Sequence, residues 1–477
     1  MALRRQFGVG IVGGGPAGLA VLLAAHRDGR LAEMLQHGVL IVEQDACIGR
    51  GQIGNYAINS DSTGYTFIDP LRAGDENELH QVLETPVARR LAAAGPAAVP
   101  LCDAGEFLEL VGRALHTIID RYPRSAVLTG CTAQSARQLP GGEWQLSLRD
   151  AAGAALLIDV GRLILATGAA QPRARLEKEF LAGMPVAKRW GDRLLQSGEA
   201  ITPCGLDQVS ARLREIANPR VAILGGSTSA MSVAYTLLNR LPDVRFGEGG
   251  ITLFHRRPLR VYYTTPQEAL ADGYTEFGPD DLCPLTNRVF RLGGMRLDSR
   301  ELLMQVRGIG GRPPEPRMRL HQLQQEDPGA VKSIDSAHLV IAALGYRPNA
   351  LPILDAAGTQ IPLLAHAGPT EPLVDNLCRV VDSDSNPIAG LFGIGLAAGF
   401  VPCGKLGGEP SFIGQANGLW LWQTAIGSMI VDAVLPLSAE LAARPAQKPL
   451  NQHVPTTPNG ARVAIAAETG ASLFPSH

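Results

Sequence analysis

The stretch Gly8-Val9-Gly10-Ile11-Val12-Gly13-Gly14-Gly15-Pro16-Ala17-Gly18 decides the fold. Residues 8–12 form a short apolar strand, 13–18 a glycine turn, and Leu19–His26 continues as an apolar helix. The turn has the spacing G-x-G-x-x-G, and its glycines have separate jobs. Gly13 permits the tight turn, Gly15 lets the backbone approach a pyrophosphate, and Gly18 lets helix and strand pack closely. The free N–H groups of the helix start, around Pro16 and Ala17, then face the phosphates, and the helix dipole favours their charge. Val39–Val42 is the next strand, and Glu43 closes it about 25 residues past the last glycine, where a carboxylate accepts hydrogen bonds from a ribose. Gln44 follows at the same edge. Ile48-Gly49-Arg50-Gly51 supplies a turn running back along the adenosine and pyrophosphate, with Arg50 either facing a phosphate or solvated.

Working outward, the same unit occurs again about 210 residues later. Val221–Leu224 is the strand, Gly225-Gly226-Ser227-Thr228-Ser229-Ala230 the turn, Met231–Leu238 the helix and Ile251–Phe254 the next strand. Ser227 and Ala230 replace the second and third glycines, and both are small enough to keep the close approach. The following strand ends in His255-Arg256-Arg257. An acid there favours NAD through its ribose hydroxyl, whereas arginines pair with a 2′-phosphate, so Arg256 and Arg257 point to NADPH. Two such units in one chain give an α/β fold of two Rossmann-like three-layer dinucleotide-binding domains, one for FAD and one for NADP, the second inserted in the first. The expected division is 1–185 and 351–435 for the FAD domain, 186–350 for the NADPH domain, and 436–477 as a poorly ordered tail rich in Ala, Pro, Thr, Gln and Asn. Glu84–Tyr122 reads as helical with a break at Gly95–Pro100. Leu163–Ala166, Leu339–Leu344 and Leu391–Gly395 read as strands, and Pro410–Val434 as a long apolar helix.

Bulk composition agrees. A chain of 477 residues suggests two to three domains. Its 45% hydrophobic and 18% charged content suits a globular enzyme, and a net charge of -2 gives no reason to expect nucleic acid or an anionic membrane as partner. None of the seven cysteines forms a C-x-x-C pair, which removes a local dithiol centre and fits a reducing, cytoplasmic setting. The basic start with Arg4 and Arg5 before an apolar run resembles a secretory signal, but its glycine density belongs to the dinucleotide turn. No stretch approaches the roughly 20 apolar residues of a membrane span.

Two further strand ends, Leu165-Ala166-Thr167-Gly168 and Ala343-Leu344-Gly345-Tyr346, complete the pattern. Over residues 8–435 the chain resembles the NADPH-dependent FAD monooxygenases of the ornithine/lysine N-hydroxylase type. The resemblance implies that Thr167-Gly168 and Gly345-Tyr346 mark the crossings between the two domains. It also implies that the segment from Glu276-Phe277-Gly278-Pro279 to Arg300-Glu301-Leu302-Leu303 lies near substrate. The chain departs from related patterns in places. The F-x-G-x-x-x-H fingerprint of Baeyer–Villiger enzymes is absent around Gly168–Trp190. Leu344 stands where a threonine is usual. The G-D pair that usually binds the FAD ribityl chain reads Gly395-Leu396, so the contact there is backbone only or falls to another residue.

The activity implied is hydroxylation of a small metabolite, foremost an amine nitrogen of an amino acid or related compound, by O2 through a C4a-(hydro)peroxyflavin. Such a species calls for an apolar site poor in water. Asn59 and Ser60, in a polar run after the second strand, are candidates to hydrogen-bond the flavin or its oxygen adduct. Lys405 and Glu409 read as solvated loop charges before substrate contacts, and Cys403 as a buried inert thiol. Two alternatives use the same scaffold: a reductase passing electrons to a protein or quinone, and a non-catalytic flavin-binding regulator. The expected partners are the small substrate and O2, with a homo-oligomer left open.

Overall fold

The computed structural model describes residues 6–74, 77–368 and 370–435. The basic start at Arg4 and Arg5 and the segment read as a tail, 436–477, lie outside the described residues.

The opening stretch folds as its pattern dictates. Gln6–Val12 is a strand, Pro16–Arg27 a helix, and Val39–Val42 the next strand, pairing in parallel with Val9 opposite Val39 and Val12 opposite Val42. The helix buries every residue from Ala17 to His26. An element that is apolar all round and covered all round is a core helix, here sandwiched between the sheet and the C-terminal helical segment.

Nine strands form the first sheet. Its parallel part runs Ala126–Leu128, Val39–Val42, Gln6–Val12, Ala155–Leu165. The strand Ala155–Leu165 has 11 residues and is shared by two partners on its other edge. Its first half pairs antiparallel with Trp144–Asp150, which pairs in turn with Cys131–Gln138. Its last residues pair in parallel with Pro387–Gly393, with Leu391 opposite Leu163. The sequence reading assigns no element to the meander 131–150, although Trp144, Leu146 and Leu148 are buried in strict alternation with Gln145, Ser147 and Arg149.

A second sheet of five parallel strands has the order Leu194–Gln196, Leu339–Ala342, Val221–Leu224, Ile251–His255, Met318–Gln322. Val221–Leu224 and Leu339–Ala342 are buried at every residue, as parallel strands covered on both faces are. The helix after the second turn starts at Thr228, earlier than the expected Met231, because Ser227 is already the extended residue preceding it. The chain leaves and re-enters the first sheet at one place. Ala169–Ala170 pairs antiparallel with Arg347–Pro348, the Asn349 N–H donates to the Gly168 carbonyl at 2.9 Å, and the Thr167 hydroxyl donates to the Asn349 carbonyl.

The last helix is shorter than its composition suggests. Residues 410–418 hold no helix; Pro410, Gly414 and Gly418 interrupt it. Helix begins at Leu419, widens into a π turn at Trp422–Ile426, and finishes as Gly427–Val434. A Cβ on Gly427 would lie 2.5 Å from the Ala24 Cβ, so this glycine lets the last helix press against the first.

Candidate active site

Both glycine turns open onto one cleft of about 950 Å³, at the upper end of the roughly 300–1,000 Å³ typical of small-molecule sites. In the first turn the protein itself demands two of the three glycines. Gly13 has φ +102°, and a Cβ there would lie 2.2 Å from the Ala166 carbonyl oxygen; one on Gly18 would lie 2.1 Å from the Gly13 oxygen. Gly15 is different. Its nearest neighbour to an added Cβ is the Gly51 Cα at 3.6 Å. The space in front of Gly15 is therefore kept clear of protein, beside a helix start with no side-chain cap. That is the shape a pyrophosphate needs.

Around this turn the residues divide by role. Glu43 is buried, with Oε2 accepting from the Gly14 N–H at 2.7 Å and Oε1 from the Asp45 N–H at 2.9 Å. Each carboxylate oxygen has a second lone pair for a ribose hydroxyl. Pro16, Ala17, Gln44 and Gly51 line the cleft with it, whereas Arg50 does not. The Arg50 guanidinium donates to the Gly54 carbonyl at 3.2 Å and braces that turn. Gly395 (φ +120°) brings its backbone against Ala17, and Leu396 lines the cleft where a carboxylate is usual. Asn417 stands beside it, its Oδ1 accepting from the Ala397 N–H at 3.0 Å, and supplies a side-chain amide that the sequence reading did not identify.

The second turn mirrors the first. Gly225 has φ +133°, and a Cβ there would lie 2.3 Å from the Ala343 oxygen. Ser227, Thr228 and Ser229 line the cleft, and no side chain caps the helix they begin. Arg256 is spent on Glu179, at 2.8 Å, and on the Phe180 carbonyl. Arg257 is exposed and makes no side-chain hydrogen bond or ion pair among the described residues. Thr167, Gly168 and Tyr346 line the cleft at the crossing, while Gly345 (φ +90°) makes the bend behind them. Burial, with the neighbouring Tyr56 hydroxyl, drives the Tyr346 phenol well above its usual range.

No family model matches the chain. A CMP-5′-(3-aminopropyl)phosphonate hydroxylase from Streptomyces rubellomurinus is 32% identical over 441 residues, covering 89% of this chain and 96% of that protein. The chain belongs to the FAD- and NADPH-dependent flavoprotein monooxygenases. Solved structures share the fold at lower identity. The FAD-bound cadaverine monooxygenase of desferrioxamine biosynthesis from Erwinia amylovora superposes with a TM-score of 0.52 at 12% identity, over 93% of this chain and all of that one. An ornithine N-hydroxylase from Kutzneria sp. 744 gives 0.50 at 16% identity, over 90% and 99%. The monooxygenase is thus a flavin-dependent hydroxylase of a small metabolite.

Within the monooxygenase's cleft, the polar residues fall differently from expectation. Asn59 and Ser60 line it, but their side chains hold the framework. Asn59 donates to Asp298 at 2.7 Å and accepts from Arg240 at 2.8 Å, while the Ser60 hydroxyl donates to the Ser62 carbonyl and accepts from the Val99 N–H at 3.2 Å. Their neighbour Asp61, which the sequence reading passed over as a site residue, faces the cleft with no hydrogen-bond partner or close ion pair among the described residues. Its side chain is exposed to the open cleft, and desolvation by the surrounding walls pushes its pKa up to about 7, against the pull of Arg296 and with the push of Asp298.

The far wall is the segment that the resemblance placed near substrate. Arg291 and Arg296 line the cleft from it. Glu409 is not solvated: it is buried and accepts from the Leu292 N–H at 3.0 Å and the Gly293 N–H at 2.8 Å, clamping the arginine-bearing loop. Lys405 stays exposed, and so does Cys403, which the sequence reading expected to be buried. The buried thiol of this region is Cys283. Burial pushes its pKa up, but hydrogen bonds from Thr286, the Gly408 N–H, Arg291 and the Leu285 N–H outweigh this and bring it to about 7.

Proposed function

We propose that this monooxygenase hydroxylates the primary amine nitrogen of a small metabolite that carries a phosphoryl or phosphonyl group. FAD is held at the first turn by Gly13, Gly15, Pro16, Ala17, Gly18, Glu43, Gln44 and Gly51, with Thr167, Gly168 and the Gly395-Leu396 backbone opposite. NADPH is held at the second by Gly225, Ser227, Thr228 and Ser229, with Arg257 at its 2′-phosphate and Gly345-Tyr346 at the crossing. Residues 1–185 and 351–435 serve the flavin and 186–350 the nicotinamide. Bound there, the two cofactors deliver the electrons that split O2: RNH3⁺ + O2 + NADPH → RNHOH + H2O + NADP⁺.

One observation carries the substrate class. Neither Arg291 nor Arg296 pairs with a carboxylate among the described residues. Arg291 lies over the Trp420 ring at 5.1 Å and donates to the Leu406 carbonyl, and its Nε is buried without a partner. Arg296 lies over the Tyr262 ring at 4.1 Å and donates to the Arg291 carbonyl. Two guanidinium groups held on aromatic faces, neither bonded to a carboxylate and Arg291 also reaching the Cys283 sulfur at 3.4 Å, form a site for a multiply charged oxyanion. The named substrate of the Streptomyces relative, an aminopropylphosphonate joined to CMP, has such a group near an amine.

The test compares CMP-5′-(3-aminopropyl)phosphonate, L-ornithine and cadaverine as substrates, scoring hydroxylamine product per NADPH oxidised. The expected result is coupled product from the phosphonate alone, with Arg291→Ala and Arg296→Ala raising its KM by about 10–100-fold, as loss of a charged hydrogen-bond partner does. Equal turnover of ornithine or cadaverine, or wild-type KM in both variants, overturns the reading.

A further inference from the structure

We infer that Asp61 is the group that receives the substrate's ammonium and takes its proton before oxygen transfer, an assignment that rests on the amine reading above. The reacting nitrogen needs a free lone pair, and an alkylammonium has none. Something in the cleft must therefore hold the cation and accept one proton near neutral pH.

The placement is particular. Asp61 sits in the strand Asn59–Thr63, where the side chains of Asn59, Ser60 and Thr63 are committed to the framework. Its own carboxyl is the strand's one charged group and makes no hydrogen bond or close ion pair among the described residues, and it faces the same cleft as Arg296. The groups around it fix its behaviour. Arg296 and Asp298 come from the start of the helix Leu297–Arg307, and Tyr235 and Arg240 from the helix Thr228–Arg240. Asp298 is tied to Asn59, and Arg240 donates to Asn59 and the Ala57 carbonyl. On the flanking helices, Asp69 pairs with Arg72 and Asp103 with Arg90, and the strand opposite, Ala98–Pro100, has no titratable side chain. Asp61 thus keeps a carboxylate whose affinity for a proton is high and whose natural partner is an incoming cation. Arg296 beside it places an oxyanion subsite next to the ammonium subsite, which suits a short aminoalkyl phosphonate.

The proton balance closes. One N–H proton of RNH3⁺ passes to the Asp61 carboxylate. The freed lone pair forms the N–O bond to one oxygen atom of O2, a second N–H proton ends on that oxygen as the hydroxylamine O–H, and the other oxygen atom leaves as water with the hydrogen that NADPH supplies. Asp61 returns its proton to that water, and NADPH supplies both electrons.

The experiment uses the full-length flavoprotein with CMP-5′-(3-aminopropyl)phosphonate as probe and compares wild type, Asp61→Asn and Asp61→Glu. FAD content and flavin bleaching by NADPH report that each variant is folded and loaded. For wild type, kcat/KM is expected to fall as pH drops through about 7. In Asp61→Asn that limb is absent, kcat/KM is down at least 100-fold, and NADPH oxidation runs uncoupled to hydrogen peroxide; Asp61→Glu recovers part of the coupling and restores a pH limb. Hydroxylamine formation by Asp61→Asn at the wild-type rate with the limb retained overturns the assignment alone. A wild type that makes no hydroxylamine from the probe overturns the amine reading and the assignment with it.

Discussion

At the scale of single residues, the two outer glycines of the first turn serve the fold, while the middle one leaves open space that our proposal assigns to the flavin nucleotide. Gly13→Ala forces φ +102° on an L-residue and drives its methyl to 2.2 Å from the Ala166 oxygen; together these cost about 2–5 kcal/mol. Gly15→Ala keeps φ -73° and meets nothing closer than 3.6 Å, so its stability stays within about 1 kcal/mol of wild type. Thermal unfolding of the apoprotein should separate the two. Gly15→Ala should melt like wild type yet purify with less than a tenth of the flavin, whereas Gly13→Ala melts early. Flavin retention in Gly15→Ala would show that nothing needs the space it leaves. This division explains what the sequence made legible. A glycine pattern reports backbone demands, and those are local, so the close contacts at Gly13, Gly18 and Gly225 are legible from the chain alone. A side chain's partner is not local. Arg256 looked equivalent to Arg257 until Glu179, 77 residues away, took it. Asn59 is the candidate in the sequence and Asp61 is not, yet Asp298 and Arg240 engage Asn59 and leave Asp61 facing the cleft.

At the scale of elements, short strands fixed by hydrophobic runs were read to the residue, as at Val39–Val42 and Val221–Leu224. The error at Pro410–Val434 has the opposite cause. Its apolar composition suits a helix, but residues 407–418 are held in irregular form by contacts with residues 260–293. The Ser411 hydroxyl donates to Asp281 at 2.6 Å, Arg260 donates to the Ser411 carbonyl at 3.1 Å, and Glu409 takes the Leu292 and Gly293 N–H groups. Such pairing is invisible to periodicity, because each partner lies more than 100 residues away. Glu409 is the centre of this stitching. Glu409→Ala takes the acceptor from two part-buried N–H groups and should cost about 1–2 kcal/mol. Hydrogen exchange should show lost protection at Leu292 and Gly293 with flavin content unchanged, and KM for the phosphonate should rise because Arg291 and Arg296 lose their support. Unchanged protection at both amides would mean that the loop holds its shape without the clamp.

At the scale of the whole molecule, the fold retains a carboxyl that works against its stability. Desolvation by the cleft walls raises the Asp61 pKa from 3.8 to about 7, although the residue is exposed to the cleft. A raised carboxylate pKa means that the folded state binds the proton more tightly than the unfolded chain does. Stability is therefore lost as pH rises from about 4 to about 7, and the loss is constant above that. Asparagine mimics the protonated acid in shape and charge. Asp61→Asn should consequently raise the Tm of the apoprotein, by more at pH 7.5 than at pH 5.5, with no further gain above pH 8. Since the carboxyl opens to a wet cleft, solvent screens part of the penalty, and the direction of the pH trend is the decisive reading. The same comparison with CMP-5′-(3-aminopropyl)phosphonate bound should reverse in sign. An ammonium beside Asp61 converts the unfavourable charge into a paired one, so the ligand stabilises wild type more than Asp61→Asn. Equal ligand-induced shifts in the two proteins, at a pH where Asp61 is ionised, would show that the cation binds elsewhere and that the strained carboxyl is not maintained for it.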